Sequence, residues 1–167
     1  MKKAIIVLVL LAALIPAAAF ADFQIGVVGL YDMPLSYIDN STSITASDLS
    51  YGLEARLKLW IFQAGVSALY SQNGDILAIT DLGLSFNIWF MRFGVGVGPI
   101  IGYNLDSRAA ANTGYWTVKS TFDINLGNLG LGVIAYTFAP GLSDLGYSLA
   151  NFSDNTEVAV TLMFKLF

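Results

Sequence analysis

The sequence predicts an all-β chain, an eight-stranded antiparallel up-and-down transmembrane β-barrel. Three observations predict it. Apolar residues are abundant yet dispersed: 56% of the chain is hydrophobic and 12% charged. After residue 21, however, no apolar run is long enough to cross a bilayer as a helix, which takes about 20 residues. The dispersed residues alternate with polar ones, the period of a strand with one greasy face. Aromatic residues gather at both ends of the alternating segments, as they do at the two edges of an apolar band.

The chain begins with a segment that reads as targeting rather than fold. Lys2 and Lys3 form a basic start, Ala4 to Ile15 an apolar core, and Ala19-Phe20-Ala21 a small-residue cleavage site before Asp22. Residues 1–21 are therefore expected to be a cleaved signal peptide, and 22–167 a single barrel domain. The chain has no cysteine and no histidine. That excludes disulfides, thiolate or histidine metal sites, and hydrolase chemistry with a histidine base. No cofactor and no metal is expected.

Alternation then marks the strands in order at 22–31, 49–61, 63–72, 76–89, 91–103, 115–126, 129–138 and 155–167. In "YGLEARLKLWI", Tyr51, Leu53, Ala55, Leu57, Leu59 and Ile61 share one face, and Glu54, Arg56, Lys58 and Trp60 the other. A helical period would scatter the three charges. The segment "YWTVKSTFDINL" repeats the pattern, with Lys119 and Asp123 on its polar side. Connections near 61–63, 89–91 and 127–129 are very short, whereas 32–48, 104–114 and 139–154 are long and polar. Between them, Asn73-Gly74 is a good tight-turn pair. The near copies "KLWIFQAGV" and "NIWFMRFGVGV", starting at residues 58 and 87, are thereby hairpin turns at one end of successive strand pairs.

Tyr31, Tyr51, Tyr70, Tyr103 and Trp116 stand on the apolar face at the loop end, and make one edge of an aromatic girdle. Phe23, Trp60, Phe62, Trp89, Phe90 and Phe93 stand at the turn end. The polar face carries Glu54, Asp81, Asp123 and Glu157 against Arg56, Lys58, Arg92, Lys119 and Lys165, a set that suits a barrel lining. An eight-stranded interior is about as wide as its side chains, so these charges are expected to form a salt-bridged plug. Strands two and six face each other, which brings Arg56 or Lys58 to Asp123 and Glu54 to Lys119. With cations among the carboxylates, no catalytic residue is assigned. Gly94, Gly96, Gly98, Gly102, Gly130 and Gly132 are expected either to clear a cavity or to make room for inward Trp60, Trp89 and Tyr115. Pro99 lacks the N–H that a closed ladder uses, so it marks a bulge near the rim or a possible lateral opening. The loops carry Asp32, Asp39, Asp48, Asp75, Asp106, Asp144 and Asp154 against Arg108. Such an acidic rim does not recruit nucleic acid.

The last strand, "VAVTLMFKLF", ends on Phe167. Here the chain resembles the bacterial outer-membrane β-barrel superfamily, of the small OmpA-transmembrane, OmpX and OmpW-like type. In that superfamily a terminal aromatic residue is commonly read by the barrel-assembly machinery. One departure is that Phe167 falls on the parity of Met163 and Lys165, not on that of Val158 to Leu166. The resemblance implies an outer-membrane location in lipid, a monomer, and a non-enzymatic role. That role is structural or surface-interacting, or that of a narrow conduit for small apolar molecules. A soluble periplasmic lipocalin-like binding barrel is the alternative. A lipid-modifying outer-membrane enzyme is another, though such barrels lean on a histidine.

Overall fold

In the computed structural model the described residues are 21–38, 45, 48–70, 75–105 and 109–166. The targeting segment up to residue 20, Asn73-Gly74, Arg108 and Phe167 lie outside them. Eight antiparallel strands close on themselves in chain order: β1 (Ala21–Tyr31), β2 (Leu49–Leu59), β3 (Phe62–Tyr70), β4 (Asp75–Ile88), β5 (Met91–Asn104), β6 (Ala109–Leu126), β7 (Leu129–Ala139) and β8 (Thr156–Lys165). Closure runs through β1 and β8, from Gln24 opposite Lys165 to Tyr31 opposite Val158. Among the described residues every strand has a partner on both sides, as a closed barrel requires, with the β4–β5 ladder interrupted at Thr80-Asp81 and Gly98-Pro99. Ala21, read from sequence as the end of the targeting segment, opens β1 opposite Leu59. The β7–β8 connection holds a 3-10 turn at Leu142–Asp144 and two short helices, α1 (Leu145–Ala150) and α2 (Phe152–Asn155).

The alternation sorts as the strand period requires. Val27, Leu53, Leu82 and Val160 point outward and are 53–70% exposed, while Glu54, Arg56, Lys119 and Asp123 point inward and are at most 1% exposed. The barrel is thus polar within and greasy without over most of its height.

Two sequence expectations need correction. β6 starts at Ala109, where a loop through 104–114 was expected, because "AAAN" shows no polar–apolar period to read. Trp60 and Trp89 do not point into the lumen. Each is the first of two residues between strands, has a positive φ (58° and 56°), and is 70% and 91% exposed respectively. The third tight hairpin has Gly127 at the same place, with φ 69°. A positive φ at the first central residue is the II′ pattern that glycine normally fills. The two tryptophans therefore occupy a glycine position, and their side chains swing out of the barrel end.

Candidate functional site

The lumen is divided into two zones. Towards the tight turns it holds a buried ion network. Arg56 Nε donates to Glu54 Oε1 at 2.8 Å, and its Nη1 donates to Asp123 Oδ2 at 2.7 Å. Lys119 Nζ reaches Glu54 Oε1 at 2.5 Å and Asp81 Oδ1 at 2.8 Å. Ser67 Oγ donates to the other Glu54 oxygen, and the Tyr136 hydroxyl lies 2.7 Å from Ser67 Oγ. These contacts join β2, β3, β4, β6 and β7 across the bore, because an eight-stranded interior is only as wide as two opposed side chains. Arg56 meets Asp123 and Glu54 meets Lys119, as strands two and six face each other.

Nearer the turns lies a second tier. Arg92 Nε donates to Ser85 Oγ at 3.1 Å and its Nη2 to Gln63 Oε1 at 2.9 Å, with Asp22 Oδ2 3.8 Å from Nη1. Lys165 Nζ also approaches Asp22 Oδ2, at 3.3 Å. Lys58 Nζ donates to Asn87 Oδ1 at 2.7 Å, so it sits in this tier and not beside Asp123.

Glycine makes the network possible. A Cβ on Gly132 would strike Asp123 Oδ1 and stand 2.7 Å from Thr161 Oγ1; one on Gly65 would strike Asp81 Oδ1; one on Gly96 would lie 2.8 Å from Asp81 Oδ2. The inward glycines here clear space for two carboxylates, not for Trp60 and Trp89. Tyr115, the third residue named for that space, lies instead at the loop end of the lumen and is half exposed.

Towards the loops the lining turns apolar, which sequence reading missed. Val28, Leu30, Leu69, Ile79, Ile100, Ile134, Tyr136 and Ala159 pack inside the barrel, with Leu77 and Phe138 against them. Above them a cavity of about 550 Å³ is lined by Leu30, Leu77, Ile79, Ile100, Tyr115 and Phe138. The Tyr136 ring separates the zones. Its hydroxyl turns to Ser67, its face stacks with Phe138 at 6.2 Å, and Lys119 Nζ lies 5.8 Å from its centroid. The signal was present in the sequence. Val27-Val28, Ile100-Ile101 and "VIAYTFA" are apolar on both parities at the loop ends of their strands, the mark of a strand covered on both faces.

Glu157 belongs to this outer zone. It lines the cavity with Asp32 and Ser50, and among the described residues neither acid has an ion-pair partner. Ser50 Oγ donates to Asp32 Oδ2 at 2.5 Å. Burial pushes the Asp32 carboxyl up from its usual range and Asp48 adds to this, against the Ser50 hydrogen bond.

Tyr31, Tyr51, Tyr70 and Tyr103 lie at the loop ends of β1, β2, β3 and β5, with the Tyr51 and Tyr70 rings 5.8 Å apart, whereas Trp116, expected with them, lies inside β6 opposite Pro99 because that strand begins at Ala109. Nearer the turns, Phe86, Phe93 and Phe122 form a ring row across β4, β5 and β6 at 5.6 and 5.1 Å. The β5–β6 register shifts between Pro99 and Ile101, where Pro99 faces Trp116 and Ile101 faces Asn112. Thr113, Gly114 and Tyr115 thus oppose Ile100 alone, a bulge eased by Gly114 at φ 76°. Threonine hydroxyls bind the local carbonyls: Thr80 Oγ1 donates to Pro99 O at 2.9 Å, and Thr113 Oγ1 to Ile100 O at 2.8 Å. A second pocket beside Pro99 is lined by Asp81, Gly98 and Trp116 among others, and Asp81 is tied to Lys119. Pro99→Val is expected to raise stability to urea by up to about 1 kcal/mol, the net value of one restored hydrogen bond. Urea titration of the refolded variant measures it.

No protein-family model, curated protein or solved structure matches the chain.

Proposed function

We propose that the protein is a small, non-enzymatic outer-membrane barrel that takes small apolar molecules into a blind well from its loop end. The observation that carries this reading is the division of the lumen. The ion network, with Glu54, Arg56, Lys119, Asp81 and Asp123 at most 2% exposed, closes the bore, and the apolar cavity stands on its far side. Such a lumen receives a solute without passing ions. Membrane placement is supported by the outward face, where large aliphatic and aromatic residues exceed what a soluble monomer leaves in one continuous patch. In a soluble lipocalin-like barrel the same face would be wetted. The carboxylates of the ion network are engaged by cations, which leaves them no proton-transfer task.

Cysteine labelling in whole cells tests location and orientation together. With an impermeant maleimide, Ser143→Cys in the β7–β8 loop is expected to label on intact cells. Asn128→Cys in a tight turn should label only after lysis. The converse pattern inverts the barrel, and release of the protein with the soluble periplasmic fraction sinks the membrane reading. Refolded into planar bilayers, the parent should show no steady conductance.

A surface-interaction role has one feature in its favour. Leu142, Tyr147, Leu149 and Phe152 are exposed apolar residues on the β7–β8 loop.

A further inference from the structure

We propose that the occupant of the outer well is an amphipathic organic cation: an apolar body seated among Leu30, Leu77, Ile79, Ile100 and Phe138, with a protonated amine at Asp32 and Glu157. This deepens the reading of the well as a receptor for small apolar molecules, and rests on it.

The cavity of about 550 Å³ falls within the roughly 300–1,000 Å³ of small-molecule sites, which are mostly apolar with a few placed polar groups. Here the charged groups in the lining are both acids. Elsewhere in the lumen the carboxylates meet cations: Glu54 and Asp123 meet Arg56, Asp81 meets Lys119, and Asp22 meets Lys165. Asp32 and Glu157 are the exception among the described residues, and both face the cavity.

Three ligand chemistries fare differently there. A neutral hydrocarbon fills the apolar walls but strips water from two carboxylates and gives nothing in return, which is unfavourable. An anionic amphiphile adds a further negative charge to those of Asp32, Glu157 and nearby Asp48, and is repelled. A cationic amphiphile gains the same apolar contact and supplies the missing counter-charge through charge-assisted hydrogen bonds. The Tyr115 ring, also at the cavity wall, offers a π-face to the same cation. The elevated Asp32 carboxyl fits a group that waits for a positive partner.

The test uses the full barrel in uncharged phosphatidylcholine nanodiscs and three probes with one ring system: naphthylmethylamine, naphthylmethanol and naphthoate. Binding is read from the Ile79 and Ile100 methyl resonances, which report the well and not the surrounding lipid. The amine is expected to bind about tenfold more tightly than the alcohol, the scale of one hydrogen bond to a charged group, and the acid most weakly. In the Asp32→Asn/Glu157→Gln double variant the amine should fall to the affinity of the alcohol, with alcohol binding unchanged. Equal binding of amine and alcohol by the parent overturns the cation proposal and leaves the apolar well standing. If no probe moves the two methyl signals in folded protein, the well reading itself fails. Displacement of the amine by calcium chloride at equal concentration reassigns the carboxylates to a divalent ion and also overturns the proposal. The parent comparison alone decides the matter if the double variant does not fold.

Discussion

Lys119→Met is expected to be among the most damaging single substitutions in the lumen. Lys119 is 1% exposed and its ammonium bridges Glu54 and Asp81. Methionine matches the length of the stem and removes only the charge, so Asp81 loses its ion-pair partner while Glu54 keeps Arg56 alone. Removing one member of a buried pair costs on the order of 3–5 kcal/mol. Urea unfolding of the refolded barrel, followed by its altered gel mobility without heating, should show a loss of that size. Lys58→Met is the control. Lys58 is bound to a neutral partner, Asn87, and its loss strands no carboxylate, so it should cost less, no more than one hydrogen bond to a charged group, about 1.5–3 kcal/mol. Equal losses in the two variants would mean that the network is not a unit.

Gly132→Val should have an effect of similar size from an uncharged change. Any Cβ at 132 collides with Asp123 Oδ1 and crowds Thr161 Oγ1, and Asp123 cannot retreat without leaving Arg56 Nη1. The cost joins overpacking, about 1–3 kcal/mol, to the loss of a buried ion contact. A double-mutant cycle distinguishes this from generic strain. In an Asp123→Ala background the valine should cost much less than in the parent, because the oxygen it strikes is gone. Additive losses would place the damage in the strand backbone instead.

The architecture was largely legible because alternation is an average over many residues. Each of the eight strands has its own period, and β2 shows why the reading is robust: Glu54, Arg56 and Lys58 sit on one parity with no exception. The pairing of Arg56 with Asp123 and of Glu54 with Lys119 followed from topology alone, since opposed strands in a narrow barrel touch. What escaped reading lacked a period. "AAAN" at the start of β6 gave no alternation, and a three-residue bulge opposite Ile100 moved nothing that sequence counts. The apolar well escaped for the opposite reason. Ile79, Ile100 and Phe138 sit on the inward parity beside outward apolar neighbours, and doubly apolar segments hide which parity is which. Parity puts Glu157 with the other lumen acids, because it fixes the face but not the height. Strand parity carried one residue too far puts Trp60 and Trp89 inward, because both stand in turns where parity no longer applies.

Those two turns have a consequence for the molecule as an object afloat in its membrane, if it sits there as proposed. A tryptophan held at positive φ stores about 1–3 kcal/mol of backbone strain, and the barrel stores it twice, at Trp60 and Trp89, while Gly127 spares the third hairpin. What the strain secures is direction. Both indoles project from the rim of the barrel, and in a bilayer they would stand at the headgroup boundary, where an amphipathic ring resists movement either way. Two such pegs on neighbouring hairpins act as a draught mark and a keel, fixing how deep the cylinder rides and which side of it leans. With the keel set on the β2–β5 side, the mouth of the well would be held at one height above the opposite leaflet of such a membrane.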